Sequence, residues 1–326
     1  MATHPQLIYK YRIDTASMTA EYPPRWRHPN KQRVYEIACP PGSRHHGQIQ
    51  LSRWCDFPLP GTLPNTPSAV FEISESLFQY ELALPGTTAW YLNFAHHDLF
   101  VAYGSPLLAQ DELQVAEHPT LGSLREALQA RSITPLTVEN GKPTPMLIKG
   151  IERRCCIATD ANAEQLRPHG LYGNHFARAS LEAVERAVTR IDPPTRTNLI
   201  AIEAPPGGQG AYTIEQILYI LSTAYSGFAA AKVEADADTT TTIHTGFWGC
   251  GAYGGNRVLM TLLQLLAVNL AQAQHLIFHS FDEAGSKVCR EAQTRFSEAF
   301  AGVTQLSAII ERIQAMNFQW GVSDGN

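Results

Sequence analysis

The stretch from residue 197 to residue 281 leaves the chain few folds to choose from. "TNLIAIEA" (197–204), "TTTIHTG" (240–246) and "HLIFHSF" (275–281) are apolar runs of strand length. Between them lie "TIEQILYILSTAYSGFAAAKV" (213–233), which opens with Thr213 and Gln216 at capping-box spacing, and "NRVLMTLLQLLAVNLAQA" (256–273), both with helical periodicity. Strands buried on both faces and joined by helices belong to a mostly parallel sheet covered by helices on each side.

The same alternation extends upstream. "AWYLNFA" (89–95) and "TPMLIKGI" (144–151) read as strands and "LGSLREALQA" (121–130) as a helix. In "HFARASLEAVERAVTRI" (175–191), Ala177, Leu181, Val184 and Val188 are spaced for one helix, and "AGVTQLSAIIERIQAM" (301–316) reads as a last helix. The first eighty or so residues differ. "YPPRWRHP", "CPPGSRHH" and "FPLPGTLPNTP" break any long period and predict turn-rich, wrapping structure with a few strands, Arg33 to Ile37 among them. The division expected is an N-terminal accessory region over 1–84 and one domain over 85–326.

Composition narrows the function classes. With 44% hydrophobic and 17% charged residues and a net charge of −5, the chain lacks the basic footprint of a nucleic-acid binder. Residues 258–271 are too few to span a bilayer, and "MATHPQLIYKYRIDTASM" has no apolar h-region, so a cytoplasmic protein without membrane contact is expected. Six cysteines and twelve histidines show no C-x-x-C pair and no zinc spacing, so no metal and no cofactor is expected.

The feature with chemistry in it is "TGFWGCGAYGG" (245–255), a glycine-rich turn set between a buried strand and a helix start. Glycine backbone can approach an anion closely, and a helix N-terminus adds partial positive charge, so phosphate is the ligand this turn suits. It is neither a G-x-G-x-x-G nor a Walker A turn.

That turn resembles the T-G-N-W-G-C-G-A-F-G-G loop of the poly(ADP-ribose) glycohydrolases, whose catalytic core is macrodomain-like. "IAIEA" (200–204), "AYSGF" (224–228) and "LIKGIE" (147–152) are similar to the family's V-A-I-D-A, A-Y-C-G-F and I-I-T-G-V-E. "LNFAHHDLFVAYGSPLLAQDE" (92–112) can be laid without gaps on V-D-F-A-N-K-Y-I-G-G-G, seven residues, then Q-E-E. The resemblance runs over about 85–320. It implies a three-layer α/β/α sandwich with a mixed, mostly parallel sheet, and hydrolysis of an ADP-ribosyl glycosidic bond without metal; a monomer is the expected state.

By that resemblance Glu112 is the general acid and base, with Gln110 and Asp111 beside it. Gly249, Cys250, Gly251, Ala252, Tyr253 and Gly254 receive the diphosphate, Phe281 meets the adenosine end, and Phe247, His96 and Asn93 fall on the same ligand. The chain departs from the family at Phe100-Val101-Ala102 for G-G-G, His96 and Phe247 for two asparagines, and Arg154 or a neighbour for an aromatic. The diphosphate half survives while the ribose end is reshaped, so two alternatives stay open. One is a non-catalytic ADP-ribose binder; the other is a descendant whose pocket Phe100 and Phe247 fill. Residue by residue, Glu112 also reads as a solvated first turn, Phe281, Trp248 and Tyr253 as core aromatics, Cys250 as packing, and His96 as a hydrogen-bonded strand end.

Overall fold

The structure, a computed structural model, describes residues 4–64 and 68–325. The chain runs β1 (Leu7–Asp14), α1 (Thr15–Glu21), α2 (Pro29–Ala38), β2 (Gln48–Trp54), β3 (Val70–Ser74), β4 (Thr87–Phe94), α3 (Gln110–Glu117) and α4 (Thr120–Ala130). A small hairpin, β5 (Val138–Glu139) and β6 (Lys142–Pro143), precedes β7 (Met146–Ile157), α5 (His175–Arg178), α6 (Leu181–Ala187) and β8 (Val188–Ile202). Then come α7 (Ile214–Glu234), β9 (Thr240–Thr245), α8 (Arg257–Leu270), β10 (His275–His279), α9 (Glu283–Phe300) and α10 (Leu306–Ala315).

Among the described residues eight strands form one mixed sheet in the order β1-β2-β7-β8-β4-β9-β10-β3. The β8-β4-β9-β10-β3 half is parallel, with Tyr91 beside Leu199 and Ala89 beside Thr242, whereas β1, β2, β7 and β8 pair antiparallel. Alternation along each strand splits the side chains between two cores. Trp90, Leu92, Ile200, Ile202 and Ile243 pack under α7, α8 and α10. Tyr91, Leu199, Ala201, Ile148 and Leu51 pack under α3 and α4 with Val115, Leu121 and Leu124. The result is three layers, helices on sheet on helices.

Two expectations about the elements change. Arg33 to Ile37 is helical, inside α2: Pro29 takes the first helical position, His28 caps it, and Lys31, Val34 and Ala38 turn inward at helical spacing. The single helix over 175–191 is α5, a break, and α6. Ser180 accepts from the Ala183 amide and starts the second helix, Leu181 is exposed, and Val188 already begins β8. The 1–84 region supplies β1 and β2 at one edge of the sheet and β3 at the other, so it is hydrogen-bonded into the sheet at both edges.

The capping box of α7 forms as read, with Thr213 accepting from Gln216 N and the Gln216 side chain accepting from Thr213 N. The parallel strands β4, β8, β9 and β10 all end at one side of the molecule, where open α/β sheets place their ligands.

Candidate functional site

A cleft of about 540 Å³ opens at those strand ends. His96 follows β4, Ala204 follows β8, Phe247 to Tyr253 follow β9, Phe281 follows β10, and all line it. The opposite wall comes from Val101, Ala102 and the start of α3, with Gln110, Asp111 and Glu112. The two segments singled out in the sequence therefore meet across one space.

The glycine turn is held from below. Trp248 is buried and its indole N–H donates to Ile202 O at 3.1 Å. Gly255 N donates to Gly249 O at 2.9 Å and Gly254 N to Gly251 O at 3.0 Å, folding the turn on itself. Gly249 has φ +74°, and a Cβ there would meet the Ala204 Cβ at 2.5 Å, so only glycine fits. The Gly251, Ala252 and Tyr253 amides make no internal hydrogen bond among the described residues and are left for a ligand. Gly254 itself does not reach the cleft; it packs on Gly321 and Ser323.

The helix following the turn contributes less than its position suggests. Asn256 caps α8, its side chain accepting from Val258 N and Leu259 N, so those first-turn amides are already occupied. Donors for an anion come from the turn, aided by the exposed Arg257, whose guanidinium lies 4.8 Å from the Phe247 ring centroid and lines the cleft. Burial pushes the Cys250 thiol up to about 12.

The carboxylate wall is anchored to the sheet. Gln110 reaches the end of β4, its Oε1 accepting from Phe94 N at 2.8 Å and its Nε2 donating to Leu92 O at 3.0 Å. Asn93 is fully buried beneath the floor and does not touch the cleft; its Nδ2 donates to Asp111 Oδ1 at 2.9 Å and to Gln114 Oε1 at 2.8 Å. It orients Asp111. Burial lifts Asp111 to about 8, with the Glu112 charge adding to the shift and the Asn93 hydrogen bond opposing it.

Glu112 is 5% exposed and its Oε2 has no hydrogen-bond partner among the described residues. Burial raises its carboxyl above the usual range, against the pull of Lys31, the Glu112 and Ala109 amides, and His96. It is not a solvated first turn. A buried carboxyl with one such oxygen, lining a cleft, is a group able to hold and release a proton.

The replaced G-G-G segment behaves differently from the sequence expectation. Phe100 takes φ +62°, a glycine-like conformation, yet its ring is 1% exposed and packs in the core beside Tyr103 and Leu124. It does not fill the pocket; Val101 and Ala102 face it instead. Arg125 holds this loop, its guanidinium paired with both Asp98 oxygens and its Nη1 donating to Leu99 O at 2.9 Å. Arg154 is away from the cleft, buried against Glu152 and the Arg44 carbonyl.

Phe247 is buried against Phe278 and forms one wall. Phe281 is 48% exposed with φ +70°, so its strained backbone aims an aromatic face outward; it is no core residue. His96 Nδ1 accepts from Asp98 N at 3.2 Å. Tyr172, Thr159, Leu107 and Asp324 also line the cleft, and no motif pointed to them. Among the described residues no group of three His, Cys, Asp or Glu is placed to hold a metal ion, and no helix is long and apolar enough to cross a membrane.

These features define a class: an α/β/α sandwich with a glycine turn and a buried carboxyl pair facing each other across a cleft at the strand ends. Residues 144–287 match the family described as poly(ADP-ribose) glycohydrolase, macro domain fold. The matched residues hold the glycine turn and Phe281; Gln110, Asp111 and Glu112 lie before them.

Among solved structures, the chain is similar to the Deinococcus radiodurans poly(ADP-ribose) glycohydrolase in complex with ADP-ribose, at 14% identity and TM-score 0.42, covering 90% of this chain and 95% of that one. It is similar to the same protein in apo form at 12% and 0.40, covering 92% and 98%. The Oceanobacillus iheyensis macrodomain with MES bound is more distant, at 14% and 0.37, covering 65% and 86%.

Proposed function

We propose that the chain hydrolyses a glycosidic bond of an ADP-ribosyl group, with Glu112 as general acid and base. The observation that carries this reading is the position of Glu112: a buried carboxyl with an unpartnered oxygen lines the same cleft as the glycine turn. The amides of Gly251, Ala252 and Tyr253 take the diphosphate, Phe281 and Phe247 flank the adenine, and the distal ribose lies towards Val101, Ala102 and Glu112.

In this pose protonated Glu112 gives its proton to the leaving oxygen as the anomeric C–O bond breaks, leaving an oxocarbenium-like sugar and a carboxylate. The carboxylate then takes a proton from the water that adds to the anomeric carbon, which restores the acid. The products are free ADP-ribose and the hydroxyl or carboxyl group that carried it.

Calorimetric titration with ADP-ribose, beside ADP and AMP, tests the ligand. Binding that needs both the diphosphate and the second ribose supports the pose, and no heat with any of the three sinks it. A second reading, binding without turnover, has its own observation: the Asp324 carboxylate lies over Gly251, on the diphosphate side of the cleft. Under that reading ADP-ribose binds, and Glu112→Gln changes no rate.

A further inference from the structure

The cleft presents different groups at its two ends. Leu77, Val101, Tyr172 and Phe281 are exposed large side chains, and all of them line it. Such a gathering in one cleft marks where a ligand covers them. Leu77 and Phe281 belong to the end of β10, where Ser280 N donates to Ser74 O at 2.9 Å and His279 is bonded to Ser76 O at 3.0 Å. That is the adenine end of the pose above. Val101 and Tyr172 belong to the carboxyl wall.

Tyr172 is held there by the segment that leads into α3. Leu108 N donates to Gly173 O at 3.3 Å and Gly173 N to Leu108 O at 3.0 Å, while Leu171 N donates to Thr159 O at 3.0 Å. Leu107, Thr159 and Tyr172 therefore line the cleft beside the first turn of α3, which carries Glu112. Residues 324–325 reach across to the same place: Asp324 N donates to Gly251 O at 3.4 Å, and Asn174 Nδ2 donates to Gly325 O at 3.2 Å. The space next to Glu112 is thus bounded, and its walls are mostly apolar.

Its charge is of one sign. Among the described residues Arg257 is the one lysine or arginine that lines the cleft, and it lies over Phe247, 4.8 Å from the ring centroid. Arg27 Nη2 donates to Val101 O at 3.3 Å but does not line the cleft. The acidic groups that line it are Asp111, Glu112 and Asp324.

We propose that the group released from the anomeric carbon is a compact, uncharged alcohol with an apolar body, seated against Val101, Leu107 and Tyr172, and not a second ADP-ribose unit. This rests on the glycohydrolase reading above. Glu112 gives its proton to the glycosidic oxygen, the anomeric C–O bond breaks, and the alcohol leaves neutral while water supplies the new hydroxyl of ADP-ribose. A polymer link would instead bring a second diphosphate towards carboxyls, with no lining cation there to meet it.

Three glycosides of ADP-ribose separate size from charge: the benzyl, the para-carboxybenzyl and the ADP-ribosyl dimer. Titrated into Glu112→Gln, which lacks the acid, the benzyl glycoside should bind about tenfold tighter than either of the others. Wild-type kcat/KM should follow the same order. Tyr172→Ala should lower kcat/KM for the benzyl glycoside by about tenfold while the affinity for free ADP-ribose stays unchanged, and Tyr172→Phe should restore the rate. Binding of the carboxybenzyl glycoside or the dimer that equals or exceeds that of the benzyl glycoside overturns the inference. So does a Tyr172→Ala variant that loses ADP-ribose affinity in the same proportion. If the affinities follow the predicted order but the wild type releases no alcohol from any of the three, the glycohydrolase reading falls and the apolar subsite stands.

Discussion

Gly251 and Phe281 carry opposite kinds of information at the ligand. Gly251 matters for what it lacks: a side chain there would stand between the turn amides and an anion, and its Cβ would meet the Asp324 carboxylate at 3.0 Å. Gly251→Val should abolish ADP-ribose binding in titration while the protein still melts cooperatively; unchanged affinity would remove the phosphate-turn argument. Phe281 matters for the face it shows. Since it is half exposed and outside the core, Phe281→Ala should leave stability nearly unaltered and weaken ADP-ribose binding by about 1–3 kcal/mol, the usual range for base–aromatic stacking. A melting-temperature loss without an affinity loss would return Phe281 to a packing role. At this scale the sequence was most legible where a short motif fixed a local geometry. The glycine turn and the Q-D-E segment were readable because neighbours in the chain share the work. Tyr172 and Asp324 were not, because each reaches the cleft from a separate part of the chain and no local pattern marks a side chain that crosses to another element.

Among the elements, the segment after α10 has the clearest consequence. Gly321 N donates to Gly254 O at 2.8 Å, Asp324 N to Gly251 O at 3.4 Å, and Trp320 stacks on Tyr212 with ring centroids 4.1 Å apart. The segment thus lies along the glycine turn and brings a carboxylate to the side where a diphosphate would bind. Like charges about 4 Å apart repel by about 1 kcal/mol in water-like surroundings, so Asp324→Asn should tighten ADP-ribose binding about fivefold. AMP, with one phosphate, should respond less, and an unchanged or weaker affinity for ADP-ribose would show that Asp324 does not face the diphosphate. Element identities followed from periodicity where the apolar stripe was strong, as in α7, α8 and β9. They failed where it was weak or short. The five-residue alternation in α2 mimics a strand although Pro29 starts a helix. Helix α9 buries mainly small residues, Cys289, Ala292 and Ala299, and so gave no stripe to read.

For the molecule as a whole, the parallel half of the sheet was written in its apolar strands, whereas both edges were not. β1, β2 and β3 come from the turn-rich region, where edge strands with mixed polar faces resemble loops until their partners are known. The assembled core also predicts how stability depends on pH. His118 is fully buried between the Gln114 carbonyl and the Thr197 hydroxyl, and His244 is stacked on Tyr91 beside His279. Burial lowers each to about 3, from an ordinary 6.5. Because the folded form resists protonation, the unfolded chain binds more protons between those values. The part of the stability that rests on these two rings is therefore full above about 6.5 and is lost as pH falls towards 3. Denaturant unfolding of the wild type and His118→Gln across this window isolates the contribution of His118: the stability difference between them should change as pH falls from about 6.5 towards 3, and a difference that stays constant through the window would contradict the assignment of a neutral ring.

The central claim is that Glu112 does chemistry on a ligand held by the glycine turn. The most direct test is the rate of ADP-ribose release from an ADP-ribosylated substrate by the wild type and by Glu112→Gln, with ADP-ribose affinity measured on both. The account predicts release by the wild type, a loss of roughly 10²-fold or more in the variant, and nearly equal affinities. Equal rates in the two proteins, or no release by a wild type that binds ADP-ribose, would contradict it.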